Sequence, residues 1–157
     1  MKTEIYKLSA SELSEAYRNK SLSPVEVTRS LLDRINKLDK NINAFVFIDE
    51  ESALKDARDS ETRWNSNTQK SKIDGVPTAI KDLLYTKGWP TLRGSKTINK
   101  KQEWNDDAPV TARLKEAGAV LLGKTTTPEF GHRGTTQSPL TGITRNPWNL
   151  ERTSGGS

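Results

Sequence analysis

The eight residues GAVLLGKT (118–125) constrain the fold more than any other stretch. They satisfy G-x-x-x-x-G-K-[ST], the pattern of a loop that curls its backbone N–H groups around phosphates and leads into a helix. The four variable positions are Ala119, Val120, Leu121 and Leu122, which favour an extended, buried conformation. After Lys124 come Thr125, Thr126 and Thr127, then Pro128. Three β-branched residues and a proline oppose the helix that a phosphate loop needs. The stretch therefore reads as a glycine that stops a helix, followed by a short strand over 119–123. A phosphate-loop nucleotide-binding protein is the alternative of another class, and the context speaks against it.

Upstream, Ser9 and Glu12 form a capping box with Leu8 and Leu13 as its staple. Ser23 and Glu26 repeat the device, with Pro24 at the first helical position. The second helix predicts Val27, Leu31, Ile35 and Leu38 on one face. A strand over AFVFID (44–49), a polar helix over 50–64 and a loop over 65–72 follow. At IDGVPTAIKDLL (73–84) the character turns apolar and β-branched, which predicts a buried strand. Residues 85–106 read as loop. Asp107-Ala108-Pro109 opens a helix with Val110, Leu114 and Ala117 on its face, stopped by Gly118. Beyond Lys124 only a short turn at Thr127-Pro128-Glu129 is expected. The alternation of helix and strand is α/β order.

The apolar fraction is 32%, lean against the roughly 45–50% usual for globular chains with glycine counted. No cysteine is present, which removes disulfides and Cys-ligated metal sites. No apolar run approaches the roughly 18 residues of a membrane helix, so a cytoplasmic chain with no membrane partner is expected. Net charge is +5, and eight Lys/Arg fall between Lys70 and Lys101. They are scattered among Gly, Pro and Trp without a helical stripe, so a solvated surface is favoured over a nucleic-acid module. Ser52-Ala53-Leu54-Lys55 matches S-x-x-K by chance, lacking the later motifs that accompany it. His132, the one histidine, reads as a loop residue. No cofactor and no metal is expected.

Lys81 stands out because an ammonium inside a buried strand is expensive. Two readings are balanced on the local pattern. Either the strand ends at Ile80 and Lys81 snorkels outward, or Lys81 is desolvated and able to give up its proton and act as a base. The C-terminal run NPWNLERTSGGS offers a similar choice. It is a flexible linker, or a tight turn whose glycines bring backbone close to a substrate and present the hydroxyl of Ser157.

GVPTAIKDLL, GAVLLGKTTTPEFGHRGTT and NPWNLERTSGGS, in this order and spacing, closely resemble the amidase signature family. The resemblance covers essentially the whole chain and is strongest from Asp74 onward. It implies an α/β/α sandwich around a mixed sheet, of which this is the N-terminal portion. On that view residues 1–157 are part of a single domain, with a helical segment over about 1–72 and the start of the signature core over 73–157. It also implies hydrolysis of a carboxylic amide C–N bond by a Ser–Ser–Lys triad. Lys81 matches the lysine base and Ser157 the serine held in a cis conformation, while Gly155 and Gly156 would line the substrate. A serine nucleophile needs an adjacent base, and the lysine, through the intervening serine, supplies one.

The chain ends at Ser157, before any position that matches the nucleophile, so it is expected to be inactive by itself. A small-molecule amide is the expected partner, and the full-length form is open to homodimerisation. The glutaminase subunit of a tRNA-dependent amidotransferase is the alternative within the family.

Overall fold

Ser9 starts the first helix as its sequence demands. Its Oγ accepts the Glu12 N–H, and the Glu12 carboxylate accepts the Ser9 N–H at 2.7 Å, opening α1 (Ala10–Arg18). Pro24 takes the first position of α2 (Pro24–Ile42), where Ser23 Oγ accepts the Glu26 N–H at 3.1 Å. The polar helix α3 (Glu50–Asn65) is capped by Asp49, whose carboxylate accepts the Ser52 N–H at 3.0 Å. The last helix, α4 (Pro109–Glu116), again begins on a proline. Gly118 follows it with φ +86°, and a Cβ there would lie 2.6 Å from Asp74 Oδ1, so only glycine fits. This computed structural model describes residues 4–156.

Two helical faces differ from the periodicity. Along α2 the buried side chains are Pro24, Val27, Thr28 and Leu32, whereas Leu38 is 38% exposed. Burial is confined to the N-terminal half of this long helix, so its apolar residues near the other end stay solvated. Along α4 the buried residue is Thr111, and Val110 is 47% exposed. A one-residue error turns a helix by about 100°, and eight residues give periodicity too few turns to fix the face.

Three strands form one sheet: β1 (Phe45–Ile48), β2 (Pro77–Lys81) and β3 (Val120–Thr125), in the order β1-β3-β2. Strand β1 runs antiparallel to β3, with Phe47 opposite Lys124 and Ile48 opposite Gly123. Val120 N–H reaches Val76 O, and Asp82 N–H reaches Thr125 O, each at 3.0 Å. Those two bonds advance together along both strands, so β2 and β3 are parallel and the sheet is mixed. The α/β class with a mixed sheet is thus what the chain adopts. β3 is the central strand, and it runs two residues beyond the expected 119–123. GAVLLGKT is therefore a helix stop followed by a strand, with its backbone in ladders rather than curled around an anion.

The tail holds more than the single turn expected of it. A short 3-10 turn covers Glu129–Gly131. The hairpins β4 (Gln137–Ser138) with β5 (Gly142–Ile143), and β6 (Arg145–Asn146) with β7 (Asn149–Thr153), follow. Three of these strands are two residues long, too short to carry an alternating pattern.

The chain divides into two compact units. The first comprises its described residues up to Asn36, with Asp49–Thr78 and Arg113–Leu122. Its core clusters Leu13, Tyr17, Val27, Trp64 and Val76, with the Tyr17 and Trp64 rings 6.0 Å apart. Tyr17 donates its hydroxyl to Gly75 O, and Trp64 donates Nε1–H to Asp74 O, so each buried aromatic has its polar end satisfied. The second unit comprises Lys37–Ile48, Ala79–Ala112 and the residues from Gly123 onward. Among its described residues the buried hydrophobic side chains are Ile80, Trp89 and Leu92. Much of its remaining interior consists of hydroxyls, including Thr86, Thr91, Ser95, Thr126, Thr136 and Thr144, together with Asp82 and Lys124. Most of the buried apolar side chains among the described residues thus belong to the first unit. Among the described residues no helix is long and apolar enough to cross a membrane.

Candidate active site

Lys81 is the last residue of β2 and is half-buried. The strand does not end at Ile80. Ile80 is buried and Ala79 is exposed, so side chains alternate and Lys81 shares the face of Ala79. The backbone around Lys81 is closely tied. Its carbonyl accepts the Leu84 N–H at 3.0 Å, and the next residue, Asp82, continues the ladder to Thr125.

Asp82 is 1% exposed and lies on the opposite face. Its carboxylate accepts the N–H groups of Leu92 at 3.2 Å and Gly94 at 3.4 Å, and its carbonyl accepts the Arg93 N–H at 3.1 Å. Arg93 holds φ +53°, and its carbonyl receives the N–H of Phe130, itself at φ +52°. Two side-chain-bearing residues in the left-handed region, bonded to each other, mark backbone held by its surroundings.

Gly155 and Gly156 lie in the same unit as Lys81. The carbonyl of Gly155 accepts both the N–H and the Oγ1–H of Thr136, each at 2.7 Å. A Cβ on Gly156, which has φ +149°, would lie 2.4 Å from Thr136 Oγ1. The two glycines are thus pinned by a buried threonine, which a flexible linker would not be. Ser157 lies outside the described residues. A surface cavity of about 230 Å³ is lined by Glu129, His132, Arg133, Gln137, Ser138 and Pro139. His132 is exposed, its Nδ1 hydrogen-bonded to Glu129 O at 2.9 Å, in keeping with the loop reading. Among the described residues no group of three or more His, Cys, Asp or Glu side chains is placed to hold a metal ion.

Lys124 is the residue that sequence reasoning misses. The motif presents it only as a phosphate ligand, yet its side chain is wholly buried. Its ammonium donates to Leu84 O at 2.6 Å and Thr91 Oγ1 at 2.7 Å, and lies 3.7 Å from Asp82 Oδ1. Burial pulls the Lys124 pKa down to about 8, against the opposing pull of Asp82. The cost of a buried ammonium, which singles out Lys81, applies with greater force to a lysine following AVLLG.

The sequence pattern of the Amidase family matches residues 26–157. The chain belongs to the amidase family. Among curated amidase-family relatives, the A-type subunit of the glutamyl-tRNA(Gln) amidotransferase of Salinispora tropica is 41% identical over 157 residues, covering 99% of this chain and 31% of the relative. A bacterial aryl acylamidase of the amidase signature family superposes with a TM-score of 0.85 at 34% identity, covering 96% of this chain and 31% of that one. A further amidase superposes with a TM-score of 0.87 at 29% identity, over 96% and 34% of the two chains. The chain thus spans about a third of the length of the amidase-family proteins it matches.

Proposed function

We propose that the protein carrying this sequence hydrolyses carboxylic amide C–N bonds, with Lys81 as the base and Ser157 as the proton relay. A serine Oγ outside these 157 residues attacks the amide carbonyl carbon. Its proton passes through Ser157 to Lys81 and then to the departing nitrogen as the C–N bond breaks. Water hydrolyses the acyl-enzyme, and the serine recovers its proton. Family membership over 26–157 carries this reading. It is supported by a half-buried Lys81 with a tied backbone and by Gly155–Gly156 held on Thr136. Gly155 and Gly156 then present backbone to the substrate. On this reading the nucleophile is supplied from outside these residues, the segment alone is inactive, and it forms part of one larger domain. Cytoplasmic placement and a full-length homodimer belong to the same proposal.

The amidotransferase relative, at 41% identity, favours a second reading, in which the amide is that of glutamine and partner proteins receive the ammonia. One assay separates the two. The full-length protein is tested for ammonia release from glutamine and for amine release from aryl acylamides, with Ser157→Ala alongside. Aryl acylamide turnover by the protein alone, lost in Ser157→Ala, supports the first reading. Glutamine turnover that appears only with the other amidotransferase components supports the second. No turnover of either, with or without those components, overturns both.

A further inference from the structure

Amide hydrolysis through Lys81 and Ser157 makes no use of the buried polar group around Lys124. Lys124 grips two points just after Lys81, Asp82 and Leu84, and a third further along the same loop, Thr91. Asp82 in turn gathers the N–H groups of Leu92 and Gly94 on its carboxylate. The turn that leaves β2 is therefore tied by buried charged side chains in addition to its own Leu84 N–H to Lys81 O bond.

Two simpler roles fit less well. As a second base acting on Thr91, Lys124 would need substrate at hand, but the two residues are 0% and 1% exposed, which leaves a substrate no access. As plain filler, a buried lysine is a poor choice, because an apolar residue of similar volume avoids the desolvation cost. What the charge adds is direction. Strand side chains alternate, so the facing of Asp82 fixes the facing of Lys81. A slip of one residue would exchange them and turn Lys81 toward the Lys124 ammonium, a like charge in a buried place.

We propose that Lys124, acting through Asp82 and Leu84, is a positioning residue that pins the register of β2 and so fixes where Lys81 presents its amine. This rests on the reading of Lys81 as the base in amide hydrolysis. Thr91 shares the role as the acceptor that completes the Lys124 site.

The test uses the full-length protein and an amide it turns over, with rates expressed per folded molecule. Lys124→Met is expected to lower kcat by about tenfold to a hundredfold while KM stays within about twofold, as for a displaced catalytic group. Thr91→Val should lower kcat in the same manner but less, and Thr91→Ser should restore it. Should Lys124→Met fail to fold, the Thr91 pair decides. Wild-type kcat in folded Lys124→Met or in Thr91→Val overturns the inference, as does a change confined to KM. Lys81→Ala separates the two levels. If it is inactive while Lys124→Met and Thr91→Val turn over normally, the register pin alone falls. If it turns over normally, the hydrolytic reading falls, and the inference falls with it.

Discussion

Asp74 and Asp82 are 0% and 1% exposed, and each faces a cation, yet the two pairs are built differently. Arg63 meets Asp74 with two bonds, Nε–H at 2.8 Å and Nη2–H at 2.6 Å, and the Lys70 N–H adds a third at 2.8 Å. Burial works to raise the Asp74 pKa, but Arg63 and the Lys70 N–H outweigh it and hold the carboxyl below its usual value. Lys124 instead spends its short bonds on a carbonyl and a hydroxyl, and stands 3.7 Å from Asp82. There burial wins on both sides, pulling Lys124 down to about 8 and pushing Asp82 up. A guanidinium stays charged and matches a carboxylate fork to fork, whereas an ammonium gives way when desolvated. The first pair is a lock in an apolar-cored unit. The second is a pH-sensitive tie in a unit whose interior is largely hydroxyls.

The harshest way to break this contrast is Asp74→Ala. Removing one partner of a buried pair costs about 3–5 kcal/mol, and urea unfolding should show that loss. A loss below about 1 kcal/mol, the surface-pair range, would mean that the lock is no lock.

A smaller effect should appear with pH at the other pair. The folded pKa of Lys124 lies below its ordinary value of 10.5. Between about 8 and 10.5 the unfolded chain therefore holds that proton more tightly. The penalty for burying the charge is present in full below about 8 and is relieved as pH rises. The stability of wild type relative to Lys124→Met should thus climb by on the order of 2–3 kcal/mol from pH 7 to pH 10.5. Asp74→Asn, compared in the same way, should show no such climb. A flat Lys124 difference would erase the distinction between the pairs.

Smallest of all, Ser9→Ala should cost about 1 kcal/mol by removing the α1 cap. It should leave the Lys124 pH window unchanged, since the cap touches neither pair.

The sequence discloses what is local. Ser9 with Glu12, and Ser23 with Pro24, name two helix starts because a cap is decided within four residues. The strands expected over 44–49 and 119–123 are equally plain, being short apolar runs between breakers, and they are found at Phe45–Ile48 and Val120–Thr125. What stays hidden depends on partners distant in the chain. Asp82 and Lys124 meet only because β2 pairs with β3, and neither residue announces that register. Arg63 and Asp74 face each other across a loop whose path the sequence leaves open. Thr111 takes the buried place expected of Val110 although its hydroxyl finds no hydrogen-bond partner there, so the face of this short helix is set by its packing rather than by apolar periodicity. Lys81 stands out in the sequence as a candidate base, but the turn that holds it does not.

The most direct measurement is turnover by the full-length protein carrying Lys81→Arg beside Lys81→Ala, on whichever amide the wild type hydrolyses. Arginine keeps the positive charge and much of the length but cannot give up its proton. If Lys81 accepts the proton of the nucleophile, both variants lose activity to the same extent while remaining folded. Near-normal turnover by Lys81→Arg would contradict that role, leaving Lys81 a structural cation at the end of β2.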